Sequence, residues 1–216
     1  MRIWFGALLI LAVIGSTASS QQMGGYQVAP DGRYLLAPDG RPFFWLGDTA
    51  WTLCHVLDRE DAAHYLDVRA KQGFTVIQMP ALMSRYIDRA NAYGDKSLVN
   101  RDLSQPDTTP GSDPKNPSQY DYWDHVEYVV DAAADRGLTV GILPFFVAFG
   151  PGWDYLSSDN AHDYGRFIGQ RFGKKPNVIW ILGGDDRADT DIKRAVWDAV
   201  AKGITEAAVG SEDYSK

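Results

Sequence analysis

The sequence contains a single cysteine, Cys54, among its 216 residues. A disulfide within the chain is therefore excluded, and no cysteine follows the N-terminal apolar segment to carry a lipid. Basic residues are also few, because 21 Lys and Arg are outnumbered by 28 Asp and Glu, which gives a formal net charge of -7. Since nucleic-acid binding needs a basic surface to meet phosphates, this charge balance argues against a nucleic-acid partner.

Several motifs that carry chemistry are missing from the sequence. No strand-like segment is followed by G-x-G-x-x-G or by a phosphate-binding loop, so nucleotide-binding folds lack their motif. The absence of G-x-S-x-G argues against a serine hydrolase with a nucleophile elbow. No His, Cys and Asp residues occur at the spacing of a metal site, so the sequence predicts neither a metal nor a cofactor.

Residues 1–20 have the pattern of a secretory signal. Arg2 supplies a positive charge, residues 3–14 are apolar apart from Gly6, and residues 16–20 are small. The apolar run is shorter than a typical membrane span, and no cluster of charges follows it. We expect cleavage on export to a secreted or periplasmic location, with no stable membrane association afterwards. A retained N-terminal anchor is the alternative.

After a lead-in at residues 21–32, strand patterns alternate with helix patterns. Two apolar runs flank the turn-forming sequence Pro38-Asp39-Gly40 and predict a hairpin, whose second arm at residues 43–46 is the first core strand. Hydrophobic periodicity and terminal residues predict the remaining elements. The strands are at residues 74–79 (ending at Pro80), 138–146 and 177–182, and the helices at 58–73, 120–136, 159–172 and 189–207. The long polar segment at residues 81–119 is predicted to be a loop over the active face.

This alternation predicts an α/β fold with a parallel sheet and right-handed crossovers. Two architectures fit the pattern, an open doubly wound sheet or part of a (β/α)₈ barrel of the TIM type. A complete barrel takes about 250 residues. Because residues 33–216 hold about four βα units, a barrel would be represented by its N-terminal part, preceded by the β-hairpin.

Polar side chains follow the predicted strands at their carboxyl ends, where parallel α/β folds build their active sites. The fourth strand stops at Gly183 and Gly184, which allow a tight turn or a close approach of the backbone to a ligand. The side chains placed at strand ends are Asp48, Gln78, Asp185, Asp186 and Arg187. Because parallel strands share one direction, we expect Asp48, Gln78 and Asp185 to lie on the same face of the sheet.

Structural roles compete with ligand binding for several candidates. Asp48 can accept from a sugar hydroxyl or cap the turn that follows it. Trp51 and Trp153 can stack on a sugar ring or fill the core. His55 can bind a sugar hydroxyl or pack within its loop, and Arg85 of the long loop is a further candidate for substrate binding.

Three segments resemble the apiosidase-like glycoside hydrolases: PFFWLGDTAW at residues 42–51, YLDVRAKQGFTVIQ at residues 65–78 and VIWILGGD at residues 178–185. The likeness extends from about Arg33 to Ala207. It implies a (β/α)₈ barrel related to the retaining barrel glycosidases, and the characterised activity of the family is release of apiose from a branched pectin. In those relatives strand four ends in Asn-Glu, with the Glu as acid/base, whereas Gly184-Asp185 stands here. Their nucleophile lies on strand seven.

The resemblance implies a secreted glycoside hydrolase that acts on plant cell-wall (pectic) carbohydrate, with Asp185 as general acid/base. The residues expected to bind the carbohydrate substrate are Asp48, Trp51, His55, Gln78, Arg85, Trp153, Asp186 and Arg187. Glycoside hydrolysis needs two carboxyl groups. Since the strand-seven nucleophile lies outside these residues, we expect the 216-residue chain to be inactive alone. The alternatives are a non-catalytic carbohydrate-binding protein of the same fold and a different α/β enzyme that uses the carboxyl edge of its sheet.

Overall fold

The structure is a computed structural model that describes residues 25–147 and 151–214. The predicted signal, residues 1–20, lies outside the described residues. Within the part that is described, none of the helices has the length and apolar character needed to span a membrane.

A small antiparallel sheet forms the N-terminal part of the described chain. Its strands are β1 (Gln27–Val28), β2 (Leu35–Leu36) and β3 (Pro42–Phe43), paired in the order β1-β2-β3. Gly40 has a φ of +80° and its N–H donates to the Ala37 carbonyl at 2.8 Å, which closes the turn between β2 and β3. The predicted hairpin is therefore confirmed, and the lead-in contributes the extra strand β1.

The second sheet is parallel throughout and has the order β4-β5-β6-β7. Its strands are β4 (Gly47–Thr49), β5 (Val76–Met83), β6 (Thr139–Phe146) and β7 (Val178–Trp180). Each strand pairs with the next one along the chain, as in a barrel. In a doubly wound sheet the strands instead add to one edge first and then to the other, so the strand order across the sheet reverses. The predicted fold class, a partial (β/α)₈ barrel preceded by a hairpin, is confirmed.

Within residues 25–147 and 151–214, four long helices and one short helix accompany the strands. They are α1 (Leu53–Val56), α2 (Arg59–Lys71), α3 (Tyr122–Ala134), α4 (Ser158–Phe172) and α5 (Asp191–Val209). The four long helices begin at side-chain caps, because Asp58, Asp121, Ser157 and Thr190 each accept from a backbone N–H of the first turn. The long helices lie where the hydrophobic periodicity predicts them, whereas the single turn of α1 was not predicted.

The first strand of the parallel sheet differs from the prediction. It is Gly47–Thr49, and not residues 43–46. Pro42 and Phe43 are already paired with β2, so the chain must change direction before it can join the second sheet. The Thr75 side chain holds this bend, because its hydroxyl donates to the Phe44 carbonyl at 2.6 Å and accepts from the Leu46 N–H at 2.9 Å.

Pro80 does not end the second parallel strand as predicted, because β5 continues through it to Met83. Successive residues of a strand bond to opposite neighbours, and the Gln78 carbonyl already faces β4, where it accepts from the Ala50 N–H at 2.8 Å. Pro80 therefore faces the same side, beyond the end of β4. There the Ala50 carbonyl accepts from Leu53 of α1. The missing N–H of Pro80 thus removes no ladder bond.

The core lies between the parallel sheet and its helices, with Trp123 and Tyr164 among its largest fully buried side chains. The long predicted loop also contributes to it, because Ile87, Leu98 and Leu103 are at most 3% exposed. The indole N–H of Trp123 donates to the Ser97 carbonyl at 2.9 Å. The part of this segment up to Leu103 therefore contributes buried side chains to the domain, although its regular structure is limited to short elements, whereas residues 104–119 are exposed or half-buried.

Helices α4 and α5 pack with their backbones in contact. A Cβ added at Gly165 of α4 would lie 2.5 Å from the Val200 carbonyl oxygen, and one added at Gly203 of α5 would lie 2.3 Å from the His162 carbonyl oxygen. Both distances are far below van der Waals contact, and the atoms approached belong to the backbone, which cannot rotate away. Glycine is required at both positions.

We expect Gly203→Ala to destabilise the fold by about 1–3 kcal/mol, because the added methyl forces the two helices apart. Helix propensity alone predicts the opposite sign, a gain of about 1 kcal/mol. Urea unfolding measures the change. Gly25→Ala, outside the helices, is the control for a methyl group added without a clash, since its Cβ would meet nothing within 4 Å. A higher unfolding midpoint for Gly203→Ala than for the wild type would contradict the close backbone contact.

Candidate functional site

Two adjoining clefts lie at the carboxyl ends of the parallel strands. The first, which we call the strand cleft, has a volume of about 440 Å³ and is lined by Gln78 of β5, Leu143 of β6 and Ile181 just after β7. Asp185 and Asp186 complete its rim. This cleft lies where parallel α/β folds place their ligands.

The second cleft, which we call the loop cleft, has a volume of about 480 Å³. Its walls include Arg85, Tyr86 and Arg89 from the long segment after β5, together with Thr52 just before α1. The long segment therefore forms one wall of the site, as expected for a loop over the active face.

Three side chains border both clefts: Trp51, Phe146 and Asp185. The rings of Trp51 and Phe146 have centroids 4.5 Å apart and planes inclined by 48°. Trp51 is still 39% exposed although it packs on Phe146. An exposed indole held by a second ring is a suitable surface for the apolar face of a sugar.

Two glycines place Asp185 between the clefts. Gly183 has a φ of +121°, a backbone conformation that side chains with a Cβ rarely adopt. A Cβ added at Gly184 would lie 2.9 Å from both the backbone nitrogen and the carbonyl oxygen of Val147. The backbone therefore passes directly against the end of β6, and this contact presents the exposed Asp185 to both clefts.

The neighbouring carboxylate, Asp186, is fully engaged by the protein. It accepts from the Trp153 indole N–H, from Lys193 Nζ at 3.0 Å and from the Arg187 backbone N–H at 2.8 Å. The hydrogen bond from Lys193, followed by that from Trp153, holds the pKa of Asp186 below its ordinary value. Asp186 is therefore ionised and ties the 3₁₀ turn at Pro151–Tyr155 to the beginning of α5.

Asp48 points to the helical layer. Its carboxylate accepts from the Tyr65 hydroxyl at 2.6 Å and from the Arg69 guanidinium, both on α2. Burial opposes ionisation of Asp48, but the hydrogen bonds from Tyr65 and Arg69 outweigh it and hold its pKa below the ordinary value. Asp48 lines neither cleft, so the structure does not join it to Gln78 and Asp185 in one site.

His55 is buried behind the loop cleft, with 6% of its surface exposed. The Tyr122 hydroxyl donates its hydrogen to the Ala81 carbonyl at 2.6 Å. His55 Nε2 lies 3.1 Å from the Tyr122 hydroxyl oxygen and must therefore be the donor to that oxygen. Burial, with a smaller contribution from His125, lowers the pKa of His55 to about 4. Its neutral ring supports Tyr86, with the ring centroids 5.0 Å apart.

The structure thus brings together part of the predicted site along the two clefts: Trp51, Gln78, Arg85, Asp185 and Asp186. Asp48, His55, Trp153 and Arg187 do not line either cleft. The sequence interpretation missed Phe146 and Trp197, which do. Phe146 ends a predicted strand, so the strand-end rule could have found it. Trp197 lies on α5 and carries no such signal.

A group of possible metal ligands lies elsewhere in the described residues, and sequence spacing did not reveal it. His162 of α4, Glu206 near the end of α5 and Glu212 have ligand atoms within 4.8 Å of one another. Glu206 is also within 3.6 Å of Arg166, which competes with a cation for its carboxylate. Since Lys193, at the beginning of α5, pairs with Asp186 on the rim of the strand cleft, this group is at the other end of that helix from the clefts.

Comparison with known proteins relates the whole described fold to glycoside hydrolases. A family model described as the apiosidase-like catalytic domain matches residues 29–214. No curated protein matches the chain. A glycoside hydrolase family 5 structure from Bacteroides vulgatus is 32% identical with a TM-score of 0.74, over 88% of this chain and 38% of that one.

Two further structures extend the comparison. One described as a glycoside hydrolase is 36% identical with a TM-score of 0.69, over 86% of this chain and 39% of that one. The endo-1,4-beta-mannanase from Rhizomucor miehei shares the fold, with 13% identity and a TM-score of 0.52 over 87% of this chain and 58% of that one. The chain spans less than two fifths of the length of the two more similar structures.

Proposed function

Because the chain belongs to the apiosidase-like glycoside hydrolase family, we propose that it is part of a secreted enzyme that cleaves plant cell-wall (pectic) carbohydrate, with Asp185 as general acid/base. The observation that carries this proposal is the position of Asp185 on the border of two adjoining clefts. Sugars that occupy the two clefts would place the glycosidic oxygen joining them beside this carboxyl group. Release of apiose from a branched pectin is the activity that the resemblance favours.

The proposed role of Asp185 is to give a proton to the leaving oxygen and later to take one from water. Trp51, on the shared border, would hold the sugar rings, and Gln78 would bond to hydroxyl groups in the strand cleft.

Asp186 does not serve as the second carboxyl group in this proposal. Its oxygens are already engaged by Trp153, Lys193 and the Arg187 N–H, so it supports the loop on which Asp185 stands. The nucleophile or base would come from outside these 216 residues, in the remaining length that the similar structures possess. A carbohydrate-binding protein of the same fold is the second candidate, favoured by this engagement of Asp186.

The test is to assay release of apiose from apiosylated pectin fragments by the 216-residue chain and by the longest protein encoded in its reading frame. We expect turnover only by a protein that supplies a second carboxyl group. Rapid turnover by the 216 residues alone would contradict the assignment of the nucleophile. Binding without release by the longer protein would favour the carbohydrate-binding alternative.

A further inference from the structure

The arginines of the loop cleft differ in their pairing from most others in the structure. In the described part of the chain, seven arginines form ion pairs with Asp or Glu: Arg41, Arg69, Arg101, Arg136, Arg166, Arg171 and Arg194. Within residues 25–147 and 151–214, neither Arg85 nor Arg89 has such a partner, although the chain carries a net charge of -7. Both line the loop cleft, which therefore carries two cations without acidic side chains paired to them.

The two arginines of the loop cleft are positioned by a 3₁₀ turn and by an aromatic ring that packs on the core. Arg85 belongs to the 3₁₀ turn Ser84–Tyr86, which follows β5 directly. The Arg89 guanidinium lies over the Tyr86 ring, 5.1 Å from its centroid, and the Arg89 backbone N–H donates to the Tyr86 carbonyl at 2.8 Å. Since the Tyr86 ring packs on the buried His55, the position of Arg89 is supported from the core.

We propose that the loop cleft binds the carboxylate of a uronic acid residue through Arg85 and Arg89. A guanidinium group presents its N–H donors in a planar fork that matches a carboxylate, and two such groups outweigh the single negative charge of Asp185 at the cleft border. Given the proposed function, this places an acidic sugar on one side of the bond to be cleaved, and the sugar in the strand cleft on the other.

The volumes of the clefts agree with this division. Each of the two clefts, at about 440 and 480 Å³, is within the range of small-molecule sites. The strand cleft contains Gln78, Ile181 and Trp197 and suits a neutral sugar. The loop cleft contains the unpaired cations, and Trp51 borders both clefts so that adjoining rings can rest on it.

The experiment compares two trisaccharide probes that differ only in charge, trigalacturonate and its carboxyl-reduced neutral form. Calorimetry gives both dissociation constants for the wild type, for Arg85→Gln, for Arg89→Gln and for the double variant. Arg33→Gln is the matched control, because it makes the same charge change outside both clefts. The measurements are repeated in an Asp185→Asn background, where any turnover of the probe would be slower.

We expect the wild type to prefer trigalacturonate and each substitution to weaken its binding about tenfold, which corresponds to about 1.4 kcal/mol. The affinity of each variant for the neutral probe should equal that of the wild type. The Arg33→Gln variant should bind both probes as the wild type does. Equal affinity for both probes, retention of the preference by the double variant, or no saturable binding at millimolar concentration would each overturn the proposal. If the preference for trigalacturonate is found but the longer protein releases no apiose from apiosylated pectin fragments, this subsite stands and the proposed enzyme activity is rejected.

Discussion

Replacing Asp185 by Asn is expected to lower kcat by a factor of about 10²–10⁴ in a protein that contains the second carboxyl group. The amide has nearly the same shape but cannot give a proton to the leaving oxygen. Asp185 is exposed, and within the described residues its side chain makes no hydrogen bond or ion pair, so the fold should be unaffected. KM should change little, because the loss falls on the transition state.

The matched control is Asp159→Asn, which makes the same change at an exposed residue in the first turn of α4, outside both clefts. Steady-state kinetics on apiosylated pectin fragments measure kcat and KM, and circular dichroism checks the fold of each variant. If Asp185→Asn retained the wild-type kcat, Asp185 would not be the acid/base.

Acidification from pH 7 to pH 5 is expected to destabilise the fold by about 4 kcal/mol through two buried histidines. Burial is the main reason that the pKa values of His55 and His125 each fall to about 4, from an ordinary value near 6.5. Their exposures are 6% and 0%. The hydrogen bond from His125 Nε2 to the Leu57 carbonyl at 2.8 Å favours the protonated ring and raises its pKa, but burial outweighs this effect.

The sign follows from proton binding. Below pH 6.5 the unfolded chain binds protons at both histidines while the folded chain does not, so lower pH favours unfolding. The stability is present above about pH 6.5 and is lost as the pH falls towards 4. At pH 5 each histidine contributes about 2 kcal/mol of this loss, a large fraction of the 5–15 kcal/mol that is typical of a folded domain.

Urea unfolding at pH 7 and pH 5 measures the effect. The double variant His55→Gln/His125→Gln should be less stable at pH 7, because it loses buried contacts, but its stability should depend less on pH. His64→Gln, at an exposed histidine, should retain the wild-type dependence. Equal midpoints for the wild type at the two pH values would refute the predicted linkage.

Whether a segment forms a helix or a strand was predictable where its hydrophobic pattern or its capping residue fits only one of the two. The four long helices begin at or next to residues with capping side chains, and the runs at 138–146 and 177–182 contain strands β6 and β7. Strand ends were less predictable. Whether Pro80 terminates a strand depends on where the neighbouring strand stops, and that is a property of the sheet rather than of the local sequence.

In the candidate site, too, some positions follow from the local sequence and others depend on neighbouring elements. Gln78 and Asp185 line one cleft, but only Asp185 follows the end of its strand as predicted. Gln78 is not at the carboxyl end of β5, which continues to Met83; it lies in the cleft because it is level with Thr49, the last residue of β4. Asp48 was predicted by the same rule, yet it pairs with Arg69, 21 residues away on α2. The strand-end rule gives the position of a residue along the sheet but does not say whether a helix supplies a partner for it.

The long segment between β5 and α3 has a consequence for the entropy of assembling the sheet. The first paired residues of β4 and β5, Gly47 and Val76, are 29 positions apart, whereas those of β5 and β6, Val76 and Thr139, are 63 positions apart. Because loop-closure entropy grows only with the logarithm of length, the longer connection costs about 0.7 kcal/mol more. Burial of a single leucine side chain contributes about 1.5–3 kcal/mol. Burial of Leu98 or Leu103 alone therefore offsets the additional loop-closure cost of a connection long enough to carry a wall of the binding site.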